Sequence, residues 1–318
     1  MDLLFLIGGF AGLIVGGDLL VRGAVALALG FRVSPMVIGL TLVGFGTSTP
    51  ELVTSVQAAF AGSPGIAVGN VVGSNIANTL LILGLAALMA PLAVSPPAFR
   101  RDGTVLVLAT ALCLAVVLTG SLSRLSGALL LGGLALYLAL TLHFERRSQT
   151  AAGALYEAEA ELLPAAPQSL WRSTLMLLAG LALTIAGARF LVLGAISIAA
   201  DLGLSEAVIG LTIVAIGTSM PELVTSVIAA RKGQSDVAFG NILGSNIFNI
   251  LGILGTTALL HPLRVPEEIA RFDIWVMIAA TLALIVFART GWRIGRREGA
   301  VLAGSYAAYL GWLVVALP

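Results

Sequence analysis

The feature that most constrains this chain is that its central stretch is written twice. Gly46 to Val56 reads GTSTPELVTSV and Gly217 to Val227 reads GTSMPELVTSV, an offset of 171 residues. At that offset, with no gap, residues 39–56 match residues 210–227 at 14 of 18 positions. GNVVGSNIANTLLILG (69–84) likewise matches GNILGSNIFNILGILG (240–255) at 11 of 16. A duplication means one structural unit used twice, so the fold must let two copies pack together.

What surrounds the motif says where that packing happens. Of 318 residues, 58% are hydrophobic and 10% charged, and the mean hydropathy is +1.05. A soluble domain carries roughly 25% charged residues, so a soluble enzyme is excluded. One crossing with its turn takes about 30 residues, which allows about ten crossings. Hydropathy places spans near 3–21, 35–60, 66–90, 104–119 and 125–142, then 172–199, 206–230, 237–260, 273–288 and 299–317. The expected fold is therefore an all-α integral membrane protein of ten helices. Residues 1–142 and 172–318 are its two five-span units, and 143–171 the linker between them. Because five is odd, the second unit enters the membrane from the opposite face, giving inverted repeats.

Charge sets the expected orientation. With both termini outside, thirteen basic residues fall on inner loops and helix ends: Arg22, Arg32, Arg100, Arg101, Arg146, Arg147, Arg172, Arg231, Lys232, Arg289, Arg293, Arg296 and Arg297. Only Arg124, Arg264 and Arg271 fall outside, and Arg189 lies within a span. The linker is then cytoplasmic in a prokaryotic inner membrane. Its Glu157, Glu159 and Glu161 read as a solvated face rather than a regulatory cation site. The N-terminus lacks the basic start of a signal peptide and reads as the first span. One cysteine, Cys113, excludes a disulfide framework, an iron–sulfur site and a cysteine zinc site. The net charge of +1, spread thinly, suggests neither nucleic acid nor a soluble partner.

Inside the spans, acids are costly, about 2.5–3.5 kcal/mol on insertion scales. Glu51 and Glu222 are the two that sit deep, and each follows a proline, Pro50 or Pro221. Proline removes an N–H and breaks the helix there, and freed carbonyls are tolerated only where they line a cavity or bind an ion. The carbonyls of Gly44, Ala215, Thr47 and Thr218 are the expected ones. Thr47, Glu51 and Ser55 step by four, as do Thr218, Glu222 and Ser226, so each set shares one helical face. In the next span Asn70, Ser74 and Asn78 do the same, repeated as Asn241, Ser245 and Asn249. Gly69, Gly73 and Ala77 bring a small-residue spacing that lets helices approach closely.

Two carboxylates with hydroxyls, amides and free carbonyls form a hard oxygen shell suited to Ca²⁺ or Na⁺. His143 and His261 fall at span ends, against a His-ligated transition metal. An empty pair of carboxylates repels itself and favours a bound proton, so protons compete for the site or act as counter-ions. Plainer readings exist: hydroxyls bond back to their own helix, and the glutamates could pair with Arg22 or Arg189. Recurrence of the whole oxygen set at one offset favours a site, since packing alone does not require it.

These residues resemble the calcium/cation antiporter superfamily, whose two repeats carry Gly-Thr-Ser-x-Pro-Glu followed by Gly-Asn-x-x-Gly-Ser-Asn-Ile, and most of all its prokaryotic sodium/calcium exchangers. The resemblance implies an exchanger, not an enzyme, with no cofactor and a monomer sufficient for transport. It implies a Ca²⁺ site formed by Glu51, Glu222 and the carbonyls of Thr47 and Thr218. Na⁺ ligands would come from Ser48, Ser219, Ser74, Ser245 and the carbonyls of Gly44 and Ala215, with Asn78 and Asn249 beside them. Studied sodium/calcium members carry an aspartate at the position of Asn249, so this chain has two central carboxylates where they have three. Ca²⁺/Na⁺ exchange is the expected function, with H⁺- or K⁺-coupled exchange as the alternative. The resemblance also implies that spans one and six move against the rest. A channel would show obligate-free ohmic currents. An intramembrane hydrolase using Ser48 or Ser219 lacks a His or Lys base within the spans.

Overall fold

The computed structural model describes residues 2–30, 45–147, 169–231, 233 and 235–315. Gly44, Arg32, Lys232 and Glu157, Glu159 and Glu161 lie outside the described residues. Helices dominate: α1 (Asp2–Gly30), α2 (Thr49–Phe60), α3 (Pro64–Met89), α4 (Pro96–Val117), α5 (Arg124–Arg147) and α6 (Leu170–Leu202). Then follow α7 (Glu206–Thr218 and Met220–Arg231), α8 (Ser235–Phe248, continuing through Asn249–Leu254 to Gly255–Leu260), α9 (Ile269–Arg289) and α10 (Arg296–Val315). Their ends follow local rules. Prolines stand in the first turns of α2, α3 and α4, where no helical N–H is needed. Ser169 accepts the Arg172 N–H at the start of α6, and Gly203, at φ 65°, closes it in the left-handed region.

Seven of these helices are long and apolar enough to cross a membrane, and the bent α7 makes eight. The chain is an all-α membrane protein. Twelve described residues of α2 do not span a bilayer alone, and α4 carries Arg100, Arg101 and Asp102 near its start.

Several helices run past the boundaries hydropathy draws. α1 continues to Gly30 because Arg22 pairs with Asp18 at 2.8 Å, one helical turn away, so the charges lie along the helix. α9 begins at Ile269, four residues before the expected 273. Its first turn is a wide π turn, Ile269–Asp273, which carries Asp273 inward to accept the Tyr309 hydroxyl at 2.8 Å. In the first copy Asp102 plays the same part, accepting Tyr137 at 3.2 Å, with Arg101 beside it at 2.7 Å.

Burial separates centre from periphery. The apolar windows of α3 and α8 are 83% buried, those of α1 and α6 33%. α3 meets the first half of α7 through its small-residue stripe: a Cβ on Gly69 would lie 2.9 Å from the Ala207 carbonyl, and one on Gly73 2.6 Å from that of Leu211. Side chains there would force apart the two helices that carry the motifs.

Two short ribbons tie the copies together: β1 (Leu92–Ala93) pairs with β4 (Arg293–Ile294), and β2 (Ser121–Leu122) with β3 (Leu263–Arg264), both antiparallel. Among the described residues six helices separate β1 from β4 and four separate β2 from β3, even numbers, as loops meeting on one membrane face require.

Candidate functional site

The site is built on the two Pro-Glu breaks. Pro50 and Pro221 lack an N–H, so the carbonyls of Gly46 and Gly217, four residues earlier, lose their helical donors. Before α2 the Thr49 N–H turns to the Gly46 carbonyl at 3.2 Å instead. Ser48 (φ −88°, ψ 10°) and Ser219 (φ −82°, ψ 9°) leave helical geometry at matching positions, and α7 bends by 46° there. Ala215 departs from expectation. Its carbonyl is not released, since it accepts the Ser219 N–H at 3.1 Å. The break falls half a turn later because the missing donor belongs to Pro221.

At these breaks the copies exchange partners. Ser48 donates to Glu222 Oε1 at 2.6 Å, and Ser219 donates to Glu51 Oε1 at 2.8 Å. Each carboxylate is thus held by the serine of the other copy, through the short geometry typical of charge-assisted bonds. Both glutamates and Ser48 are wholly buried, and Ser219 is 2% exposed. Thr218 is buried too, its hydroxyl 3.0 Å from both Asn70 Oδ1 and the Val214 carbonyl. Thr47 is half-buried beside Ser48.

The polar stripes of α3 and α8 lie against the breaks. Asn70 donates to Ser55 at 2.9 Å and reaches the Glu51 carbonyl at 3.2 Å, and Asn241 repeats the first contact on Ser226 at 3.1 Å. Ser245 lies 3.4 Å from Glu222 Oε1. Wide π turns at Ala77–Ile82 and Asn249–Leu254 begin within a residue of Asn78 and Asn249. Such turns open the helix and re-aim side chains, and they recur at functional sites.

What is left over defines the site. Glu51 Oε2, Glu222 Oε2, Ser74 Oγ, Asn78 Oδ1 and both amide atoms of Asn249 are buried without a hydrogen-bond partner. A buried polar atom left unpaired costs about 1–3 kcal/mol. Several such atoms, oxygens for the most part, on four helices that converge at one place make a shell that a hard cation satisfies. Among the described residues the alternative ion pairs of the glutamates do not form: Arg22 is held by Asp18, and Arg189 is exposed on α6.

One contributor escapes a reading of the stripes. Asn246, off the stripe of α8, accepts from the Asn78 amide at 3.1 Å and donates to Thr79 at 2.8 Å, linking the copies. The available signal was the repeated Gly-Ser-Asn-Ile, in which Asn75 and Asn246 correspond. Asn75 instead turns back to the Val71 carbonyl at 2.8 Å.

Comparison with known proteins follows this geometry. The sodium/calcium exchanger protein family matches residues 1–143 and 172–315. The chain belongs to that family. Relatives of the exchanger include CaxA from Alkalimonas amylolytica, 43% identical over 96% of each chain. The sodium/calcium exchanger MaX1 from Methanosarcina acetivorans is 37% identical over 98% of this chain and 97% of its own. Among solved structures, the sodium-calcium exchanger NCX_Mj soaked with 2.5 mM Na⁺ and 10 mM Sr²⁺ aligns over 100% of both chains at 31% identity, with a TM-score of 0.65. The exchanger is accordingly a multi-pass membrane antiporter of the cation/Ca²⁺ class and not an enzyme, and Ca²⁺ and Na⁺ are the substrates of its family.

Proposed function

We propose that the chain exchanges Ca²⁺ for Na⁺ across a prokaryotic inner membrane by alternating access at the cluster between the α2 and α7 breaks. The observation that carries this reading is that one oxygen of each glutamate, Glu51 Oε2 and Glu222 Oε2, is buried without a partner while the other is held across the copies by Ser219 and Ser48. Ca²⁺ sits between the two carboxylates, with the carbonyls of Thr47 and Thr218. Na⁺ takes oxygens from Ser48, Ser219, Ser74, Ser245, Asn78 and Asn249, and from the carbonyl of Ala215. The Ala215 carbonyl accepts the Ser219 N–H and has the Thr218 hydroxyl 3.3 Å away; its second lone pair is open to an ion when that hydroxyl donates to Asn70 or to the Val214 carbonyl instead, each at 3.0 Å.

Complete burial of the glutamates supports an occluded state closed to both faces. The moving part is the α1/α6 pair, and two contacts support that assignment. The Phe10 ring of α1 fills the space a side chain at Gly217 would need, and a Cβ on Gly17 would lie in ordinary contact with the Pro50 ring, 3.6 Å away. α1 therefore lies over both breaks, where a shift uncovers them. Even-numbered separation of the ribbon-paired loops supports ten crossings in two inverted five-helix units, 1–142 and 172–318. The excess of inner basic residues supports outer termini and a cytoplasmic 143–171 linker. One chain contains both halves of the site, so a monomer suffices.

The test is radiolabelled Ca²⁺ uptake into proteoliposomes under an outward Na⁺ gradient, an outward H⁺ gradient, or none. Uptake driven by Na⁺ is expected. Uptake driven by H⁺ alone would replace the counter-ion, and no driven uptake would remove the reading.

A further inference from the structure

The amide of Asn78 is held by a relay that crosses between the copies. Asn78 Nδ2 donates to Asn246 Oδ1 at 3.1 Å, and Asn246 Nδ2 donates to Thr79 Oγ1 at 2.8 Å. All three side chains are buried. Asn78 and Thr79 are neighbours in α3, yet both reach one side chain of α8. They lie in the wide π turn Ala77–Ile82, where successive residues turn through a smaller angle than in an α-helix. Asn246 follows Ser245, whose hydroxyl is 3.4 Å from Glu222 Oε1, so the relay runs one residue from a direct contact of that carboxylate.

The bonds run in one direction. An amide carries an acceptor on one arm and two donors on the other. With its Nδ2 committed to Asn246, Asn78 keeps its oxygen out of the relay, and that Oδ1 is buried with no donor. Turned over, the same amide would offer N–H groups where oxygen now stands, and N–H groups repel cations. Asn246 blocks the turn by presenting its own Oδ1, and it does so because Thr79 holds its Nδ2. The counterpart positions lack this device. Asn75, which corresponds to Asn246, donates to the Val71 carbonyl of its own helix at 2.8 Å. Asn249, which corresponds to Asn78, has neither amide atom bonded.

We propose that Asn246 is a positioning residue: braced by Thr79, it locks the Asn78 amide with its oxygen available to Na⁺, and so sets Na⁺ affinity without touching the ion. The inference rests on the cluster around Glu51 and Glu222 being the transport site with Asn78 among its ligands.

The experiment follows Ca²⁺ uptake into proteoliposomes holding the full chain, with internal Na⁺ varied, and separates half-saturating Na⁺ from maximal rate. Thr79→Val removes the bracing oxygen in nearly the same shape. It is expected to raise half-saturating Na⁺ about three- to tenfold while the maximal rate stays within about twofold of wild type. Thr79→Ser keeps the oxygen and should restore the wild-type value. Asn246→Ala removes the relay outright and should raise half-saturating Na⁺ at least as far; where it fails to fold, the two Thr79 variants carry the test. An active Thr79→Val protein with wild-type half-saturating Na⁺ overturns the inference. So does a loss of maximal rate alone, or a Thr79→Ser protein that behaves like Thr79→Val. In each of these cases Na⁺-driven uptake by the wild type leaves the antiporter reading intact. A wild type without Na⁺-driven uptake overturns the sodium reading and the inference together.

Discussion

Two helix pairs related by the duplication, α3 with α8 and α1 with α6, have been put to opposite uses. α3 and α8 are 83% buried over their apolar windows, and each carries an Asn-Ser-Asn stripe whose contacts are directional. α1 and α6 are 33% buried and meet through glycine. A Cβ on Gly9 would fall 2.6 Å from the Leu191 backbone nitrogen, and one on Gly16 2.5 Å from that of Thr184. The hydroxyl of Thr184 lies at this contact, 2.6 Å from where a Cβ on Gly16 would be, yet it bonds to the Gly180 carbonyl of its own helix at 2.8 Å and makes no bond to α1. Hydrogen bonds fix a register, whereas close-packed glycine and methylene surfaces hold by dispersion and can slide without leaving polar groups unpaired. The difference sets a pair fixed by directional polar contacts, which we propose holds the ions, beside an apolar pair suited to move.

That contrast can be broken at several points. The largest effect is expected at the carboxylates: Glu51→Gln or Glu222→Gln should lower Ca²⁺ flux at least about 100-fold, while size-exclusion chromatography still shows a monodisperse protein. Wild-type flux in either would dissolve the distinction between the two pairs. Next come the crossed serines. Ser48→Ala or Ser219→Ala removes a hydrogen bond to a charged group, about 1.5–3 kcal/mol. Apparent Ca²⁺ affinity measured by concentration-dependent uptake should weaken by about ten- to a hundredfold.

Smaller, and more diagnostic, is Gly16→Leu. Spreading α1 from α6 should slow transport by about tenfold while equilibrium Ca²⁺ binding, followed by calorimetry in detergent, stays within about threefold of wild type. If binding and rate fell together, α1 and α6 would belong to the site rather than to its motion. Least of all should change in Arg22→Ala. Its pair with Asp18 is half-exposed, so thermal stability and flux should be unaltered, within about 0.5 kcal/mol.

Much of this arrangement was legible in the residues. The Pro-Glu breaks follow from proline's missing N–H, and the stripes from a step of four, so Asn70 on Ser55 and Asn241 on Ser226 were foreshadowed by spacing. Hydropathy misjudged the ends of α1, α4 and α9 for one reason. It counts Asp18, Arg22, Arg101, Asp102 and Asp273 as polar, without seeing that Arg22 pairs with Asp18, Arg101 with Asp102, and Asp273 with Tyr309. The freed carbonyl expected at Ala215 failed because the loss of a donor propagates only to the residue four before the proline.

By itself, then, the sequence determined that the protein lies in a membrane, that it is a duplicated unit, and which polar residues share a helical face, because composition and helical period are properties of neighbouring residues. Tertiary structure alone decided that Ser48 serves Glu222 while Ser219 serves Glu51, that Asn246 crosses to Asn78, and that Asn249 keeps no partner. Whether a buried oxygen is satisfied depends on every donor around it, and those donors come from helices up to about 170 positions away in the chain, brought within reach only when the two copies close on each other.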